Sequence, residues 1–434
     1  MKGVRAQSEW SRRISRFLLR QARDCVDGGP PALLRKGILA IELVLAVPCV
    51  LLARLLRPVL LIRFGGLPTG GMASAALLEV YSCEHDAGLH GRRAIDLFCI
   101  SEPICNVQLT TMWERRLHVN RFVRSLERVN RWLPGGRLNR IPFRRLQVRD
   151  IHNLLEGTTP HMLLTPEEAR RGETALRQLG VPDGVPFVCF HARDAAYKAS
   201  VGIDDQHITF RNSDIRSLYA AMDALVRRGY VCLRMGASVE VPLQTAHTRI
   251  IDYATTARTE FLDIFLCARC HFFIGDGTGL LCAAMAFRRP TAMINVIPME
   301  YASSWNSYDL FTPKLLWSRR ERRLLAFPEI IESKIGRFMR TRLYEEQELE
   351  VIDNTPEEIT ALALEMDERL RGTWQTTDDD EESQQRFRSL YPPSEYHGAF
   401  RARVGADFLH QHRELLETRT PNGTVVVSLR GNGR

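Results

Sequence analysis

The chain has 434 residues, 45% apolar and 25% charged, with a formal net charge of +8 carried mostly by arginine. That balance suits a globular protein with a large buried core, so neither disulfides nor disorder is required, and at ~150 residues per domain it suggests two to three domains. The positive charge favours anionic partners (phosphates, nucleotide sugars, lipid headgroups or nucleic acid) without choosing among them.

Residues 1–37 are basic and hold Arg5, Arg12, Arg13, Arg16, Arg20, Arg23, Arg35 and Lys36. An apolar run, Ile38 to Ala53, follows; Glu42 and Pro48 interrupt it and Arg54 and Arg57 end it. Its unbroken length falls short of the ~20 residues a spanning helix needs. The run starts too far into the chain for a cleaved signal, and positive charge on both sides dictates no orientation. The reading is an interfacial or re-entrant anchor on the cytoplasmic face, with a buried core helix and a single span as alternatives.

Next comes a short strand at Val59–Ile62, a glycine-rich stretch (Gly65, Gly66, Pro68, Gly70, Gly71) and an alanine-rich helix from Met72 to Val80. Strand, glycine turn and helix open a βαβ unit. Ile95–Ile100 reads as a second strand and Leu109–Leu133 as one long helix, broken by Pro134-Gly135-Gly136. A cleaner series begins after Pro182. Strands are expected at Val185–Phe190, Tyr230–Met235, Ile250–Ile251, His271–Ile274 and Pro290–Val296. Helices are expected at Ser213–Arg228, capped by Ser213 or Asp214 and closed by Gly229, and at Glu260–Arg269 and Leu280–Phe287. Alternating strands and helices imply a parallel sheet. Past residue 350, Thr355-Pro-Glu-Glu358 is a helix start, Thr376–Gln385 an acidic exposed linker, and 419–434 a frayed end.

Of the ten cysteines, Cys267 and Cys270 alone have CxxC spacing, and no second pair accompanies them. Buried free thiols, as in a cytoplasmic protein, are the reading, not a zinc site. No carboxylate cluster calls for a divalent metal, and no cofactor is expected.

Ligands of open α/β sheets bind at the carboxyl ends of strands. Four motifs sit there. In Cys189-Phe-His-Ala-Arg-Asp194, His191 is a candidate acid/base, Arg193 a bidentate clamp for a diphosphate, and Asp194 an orienting carboxylate. The plain alternative is a structural Arg–Asp pair beside a core histidine. Arg211-Asn-Ser-Asp214 offers Arg211 to the cleft, although one of its residues caps a helix. Arg234 in Arg234-Met-Gly236 is either a second phosphate cation or a paired structural arginine. Gly275-Asp-Gly-Thr-Gly279 precedes a helix, so Gly275, Gly277, Thr278 and Gly279 can cradle a phosphate or ribose. A turn needing glycine only for left-handed backbone is the alternative there.

The stretches CFHARDAAY, RNSDI, RGYVCLRMG, IIDYA, DIFLCARCHFFIGDGTGL and LFTPKLLW resemble a family of bacterial glycosyltransferases found with surface-polysaccharide genes. So do ICNVQLTTMWERRL, RDIHNLL and, near the end, FLHQHRELL; the resemblance covers roughly residues 58 to 330. The His-x-Arg at a strand end is similar to the donor-phosphate motif of fucosyltransferase-like GT-B enzymes. The resemblance implies a metal-independent transferase that moves a sugar from a nucleotide-diphosphate donor to a lipid-linked or polysaccharide acceptor. In that family an Arg-x-Gly-His-like turn often follows the first strand; here Pro68-Thr-Gly-Gly-Met72 stands in its place. Glu84, His85 or Asp86 is then a substitute base, and Glu300 another, since many GT-B enzymes place an acid there.

The fold expected is α/β with two Rossmann-like lobes of GT-B type. Its parts are a membrane-associating segment (1–56), an acceptor lobe (57–180) with a loop holding Gly65, Gly70 and Gly71, a nucleotide-sugar lobe (181–350) and a helical tail (351–434). The location expected is the cytoplasmic face of the bacterial inner membrane. A nucleotide-sugar epimerase and a non-catalytic scaffold of a polysaccharide assembly complex are the rival readings. A nucleic-acid binder is the least favoured reading, because the basic charge is dispersed and no aromatic-basic platform or recognised module appears.

Overall fold

The computed structural model describes residues 31, 33–91, 93–143, 148–419 and 425–426. The basic residues Arg5 to Arg23, Cys25 and most of the tail beyond 419 lie outside them. The chain divides into two compact units: residues 1–71, 84–106 and 110–145, and residues 72–83, 107–109 and 146–434. This division differs from the expected boundaries at 56/57 and 180/181.

Unit 1 begins with helix α1 (Leu33–Leu55), long and apolar enough by length and composition to cross a membrane. It continues through Glu42 and Pro48, where the sequence suggested interruption. Strand β1 (Leu61–Leu67) follows; then α2 (Ser74–Asp86), most of which counts with unit 2; then β2 (Ala94–Ile100), α3 (Val107–Arg116), β3 (His118–Val119) and α4 (Val123–Trp132). The three strands form a parallel sheet in the order β1-β2-β3. Ala46, Val50 and Ala53 of α1 pack with Phe64, Cys99, Val123, Leu126 and Val129 into its core. Strand β1 runs past Ile62, so Gly65 and Gly66 lie in the strand and not in a turn. Their missing side chains permit close packing: a Cβ on Gly65 would come within 2.9 Å of Ile141, and one on Gly66 would collide with the Ser101 hydroxyl. Gly70 and Gly71 lie beyond the strand; a Cβ on Gly70 would make ordinary contact with the Pro103 carbonyl at 3.8 Å, and one on Gly71 would meet open space. The expected helix over 109–133 is two helices. Asn120 breaks it: its N–H bonds to the Phe98 carbonyl at 2.8 Å while its side-chain oxygen accepts from Phe122 N–H at 2.8 Å.

In unit 2 the elements run α5 (Pro166–Gln178), β4 (Phe187–His191), α6 (Ala196–Ser200), α7 (Tyr219–Arg227), β5 (Val231–Arg234), β6 (Ile250–Ile251), α8 (Tyr253–Thr256), α9 (Glu260–Arg269), β7 (Phe273–Gly275), α10 (Gly279–Ala286), β8 (Thr291–Val296) and β9 (Leu310–Pro313). After them come β10 (Leu315–Ser318), β11 (Arg323–Leu324), α11 (Phe327–Glu332), α12 (Thr341–Glu346), β12 (Leu349–Ile352), α13 (Pro356–Arg371), α14 (Asp378–Ser389), β13 (Arg403–Val404) and α15 (Ala406–Gln411). Seven strands form one sheet in the order β13-β9-β8-β7-β4-β5-β6, every neighbouring pair parallel. β10, β11 and β12 make a separate antiparallel sheet.

Strand alternation sends Val188 and Phe190 to one face of the large sheet, where they meet Leu218, Met222 and Leu225 around α7 and Leu362 and Met366 of α13. Cys189 points the other way and its thiol donates to the Leu266 carbonyl of α9 at 3.9 Å. Both faces are thus covered, as a parallel sheet requires. Each such buried apolar side chain contributes ~1.5–3 kcal/mol.

Helix α9 begins and ends where the sequence placed it, with the Thr259 hydroxyl as its N-cap. Gly229 takes φ +97 after α7, and Asp214, not Ser213, caps the short turn leading into that helix. The expected acidic linker at 376–385 is instead largely helix α14. Thr377 and Asp380 form a capping box, and four acids occupy the first turn, where the helix dipole favours them. Phe387 anchors α14 by burial. At the end of the chain Thr418–Arg419 pairs antiparallel with Val425–Val426, inside the stretch expected to fray.

Candidate functional site

The carboxyl ends of β4, β7 and β5 lie side by side in unit 2: His191 pairs in register with Gly275, and Phe190 with Arg234. This is where a parallel sheet leaves a crevice for ligands. The glycine turn leaves β7 here and opens α10. None of Gly275, Gly277 and Gly279 takes the left-handed backbone, so the alternative reading of that turn falls away. Close approach is the reason instead: a Cβ on Gly275 would come within 2.7 Å of the His191 carbonyl, and one on Gly279 within 2.5 Å of Met72 Cβ. Gly277 is exposed, with Arg211 Nη2 the nearest group to its missing side chain at 3.7 Å.

Around that turn the side chains fall into two sets. In the first, every charge has a partner within the protein, although Arg234 Nε and Glu300 Oε2 are buried without a hydrogen bond among the described residues. The Arg193 fork donates to Asp205 Oδ2 at 2.7 Å and to Asn212 Oδ1. Arg234 is 1% exposed and paired with Asp252 at 3.1 Å, while Asp252 also accepts from Leu243 N–H and the Thr255 hydroxyl, each at 2.8 Å. Both oxygens of Asp194 accept backbone N–H groups, from Ala196 at 3.0 Å and Glu240 at 2.9 Å. Glu300 is buried against Arg337 at 2.9 Å. Of the sequence candidates, these four carry internal contacts. For Arg234 the structural alternative is the one the geometry supports, because a buried guanidinium already neutralised by its own carboxylate has little to offer a phosphate.

The second set is open. His191 Nδ1 lies 3.4 Å from Asp276 Oδ1, and Asp276 Oδ2 accepts the Arg193 N–H at 2.6 Å. A carboxylate holding one ring nitrogen leaves Nε2 for a substrate. Arg211 donates to the Gly277 carbonyl and makes no salt bridge among the described residues, although the Asp276 carboxylate acts on it from a distance. Burial, then the neighbouring Arg193, lowers its pKa. Thr278 is the N-cap of α10, yet its hydroxyl makes no cap bond and is shut from solvent with no partner among the described residues.

Sequence reasoning missed three members of this corner. Asp276 sat inside a quoted motif but was given no role. Arg149 donates to the carbonyls of Tyr301 at 2.9 Å and Ala302 at 3.1 Å and stacks 4.7 Å over the Tyr301 ring. It has no carboxylate partner among the described residues, its Nε is unsatisfied, and burial pushes its pKa down to about 10. Cys282, one turn into α10, feels both Arg211 and Arg149, although burial still pushes its thiol up to about 11. Arg149 precedes Arg211 by 62 positions in the chain, and no local pattern links them.

Two other places were open to chemistry. Glu79, Cys83 and His161 bring three ligand atoms within 4.8 Å of one another. Arg288 reaches into that cluster, 2.8 Å from Glu79 Oε1 and 3.5 Å from Cys83 Sγ, so a guanidinium already supplies the positive charge a metal would bring. A groove of about 600 Å³ runs along α5 and the start of α9, where Arg171 stacks 4.2 Å over Phe261; it shares no residue with the glycine turn. Cys189, Cys232, Cys267 and Cys270 are buried free thiols, as expected.

No protein-family model matches the chain, and no curated protein matches it significantly. Solved structures similar to it include a glycosyl transferase of family 9 from Veillonella parvula, at 11% identity over 50% of this chain and 77% of that one, TM-score 0.32. ADP-heptose LPS heptosyltransferase II of E. coli is similar at 11% identity over 54% of this chain and 84% of its own, TM-score 0.28. The dodecameric iron-containing heptosyltransferase TibC, in complex with ADP-D-β-D-heptose, is similar at 14% identity over 56% of this chain and 60% of its own, TM-score 0.27. All three carry glycosyltransferase names.

Proposed function

We propose that the protein is a glycosyltransferase of GT-B type that moves a sugar from a nucleotide-diphosphate donor to a lipid-linked or polysaccharide acceptor at the cytoplasmic membrane face. One observation carries the reading: an arginine with no salt bridge of its own, an unpartnered hydroxyl and a helix N-terminus converge on a glycine turn beside a carboxylate-held histidine. Cation, N–H groups and hydroxyl are what a diphosphate takes up. The resemblance of the FHARD, RMG and FFIG stretches to polysaccharide-linked glycosyltransferases supports the same class.

In this reading Arg211 and the first turn of α10 hold the diphosphate, with Thr278 donating its hydroxyl once its side chain rotates out of the enclosed position it takes in the free protein. The acceptor hydroxyl attacks the anomeric carbon and releases its proton to water, the bond from that carbon to the phosphate oxygen breaks, and the nucleoside diphosphate departs with the bonding electron pair. His191, oriented by Asp276, donates a hydrogen bond to the departing phosphate through Nε2. Charge developing on that phosphate is met by fixed donors, an arrangement that needs no divalent ion.

The test is a thermal-shift screen of the full-length protein against nucleoside diphosphates and nucleotide sugars. A ligand present at ~100 times its dissociation constant adds about 2.7 kcal/mol. The expected outcome is one nucleotide class that stabilises the protein, and a His191→Asn variant that still binds it but turns over at least ~100-fold more slowly. If no nucleotide stabilises the protein, the transferase reading fails. If one binds and is never consumed with any membrane acceptor, the non-catalytic scaffold replaces it, a reading favoured by the internal pairing of Arg193, Asp194, Arg234 and Glu300.

A further inference from the structure

Helix α1 presents two unlike faces. One is a stripe of Glu42, Ala46, Val50 and Ala53, about one helical turn apart. Ala46 and Val50 are 0% exposed and Ala53 3%, all inside the unit 1 core. The stripe is fastened at both ends to α4 and the residues flanking it. Glu42 accepts from the Ser125 hydroxyl at 3.0 Å and from Arg121 at 3.1 Å, and Arg54 donates to Asn130 and the Leu133 carbonyl, each at 3.1 Å, and to the Pro134 carbonyl. The other face leaves Ile41, Val44, Leu45, Leu51, Leu52 and Leu55 in water, with Val44 70% and Leu55 77% exposed.

A contiguous apolar face of that length marks a contact with protein or lipid. Charge decides which. Arg35 stands exposed at the start of the helix, six arginines precede it between Arg5 and Arg23, and α4 with the residues just before it adds Arg121, Arg124 and Arg131, each at least half exposed. A basic flank beside an apolar helix face suits an anionic lipid surface. A crossing of the bilayer is opposed by the packing: α4 is bound along α1 and would carry Arg124, Glu127, Arg128 and Arg131 into hydrocarbon with it.

We propose that α1 lies flat in one leaflet of an anionic membrane, apolar face down, while its opposite stripe remains part of the unit 1 core. The helix is then an attachment and a core element at once. This inference stands whether or not the chain transfers a sugar, because no step of it uses the glycine-turn corner.

Cys49, exposed on α1, provides the probe. The full-length protein, with its other accessible cysteines changed to serine, is labelled there with an environment-sensitive maleimide. It is then mixed with vesicles of phosphatidylcholine, with and without phosphatidylglycerol. The expected result is a blue shift and co-sedimentation that depend on phosphatidylglycerol, with quenching stronger from nitroxides near the headgroups than from those at the bilayer centre. Leu45→Glu with Leu52→Glu should weaken partition about 100-fold while leaving the circular dichroism and thermal transition in place. Strongest quenching from the bilayer centre would make α1 a span and overturn the proposal. So would undiminished partition of the double variant, or a self-associated species that hides Cys49 without lipid.

Discussion

Two arginine sites on the large sheet of unit 2 invite comparison. At the end of β5, Arg234 is buried and neutralised by Asp252, which three donors hold in place. At the glycine turn, Arg149 is likewise buried and Arg211 half-buried, yet neither makes a salt bridge to a carboxylate among the described residues; Asp276 acts on Arg211 only from a distance. The first site is finished by folding. The second keeps charge that folding leaves unbalanced, and a bound anion would complete it. Burial alone does not separate structural from functional arginines; the presence of a partner does.

The strongest way to break that contrast is Asp252→Ala. It leaves a buried, uncompensated guanidinium and should cost about 3–5 kcal/mol in urea unfolding, with no recovery from added nucleotide. A cost below about 1 kcal/mol would show that Arg234 is solvated and remove the distinction.

Acid titration asks what burial without a counter-charge costs at a neutral group. His397 has both ring nitrogens engaged, by the Ser304 hydroxyl at 2.7 Å and the Glu300 carbonyl at 2.9 Å. Burial, then Arg149, pushes its pKa down to about 4. The unfolded chain takes up the proton near pH 6.5, and the folded chain only near 4. Stability is therefore full above about 6.5 and falls by about 2–3 kcal/mol as the pH drops toward 4. His397→Gln should flatten that slope in chemical denaturation at several pH values.

Arg211→Ala sharpens the contrast from the other side. Its expected effect on the unliganded fold is within ~1 kcal/mol, because it removes one bond to a carbonyl, and the relieved repulsion from Arg193 offsets the lost attraction to Asp276. Nucleotide affinity, measured by calorimetry, should fall by about 2 kcal/mol, or roughly 30-fold. Thr278→Ala carries the smallest effect: no loss of apo stability, since the hydroxyl has no partner to lose, and about 1 kcal/mol of affinity. An apo protein clearly destabilised by that change would mean the hydroxyl is already satisfied.

Much of the fold was legible along the chain. The apolar run into His191, the helix from Glu260 to Arg269 and the Thr355 capping box were readable because their causes are local: strand alternation, a 3.6-residue period and a side chain reaching three residues ahead. Local reading failed where a competing signal was louder. Four acids made α14 look like a linker, although the same acids favour a helix start after Thr377. The glycines of β1 looked like a turn, although Ile141 and Ser101 press on them from across the unit.

For the site, residue type and strand-end position marked His191, Arg211 and the glycine turn, but not which arginines were free. Partnership is a matter of tertiary distance. Asp252 claims Arg234 from 18 positions away in the chain, Asp205 claims Arg193 from 12, and Arg149 enters the corner from far upstream with no local signature. The sequence by itself determined the parallel α/β framework, the helix caps and the glycine turn, because periodicity, side-chain reach and chain stiffness act within a few residues. Only the tertiary structure decided which charges cancel and which face of α1 is buried, because both depend on groups that the chain brings together from distant positions.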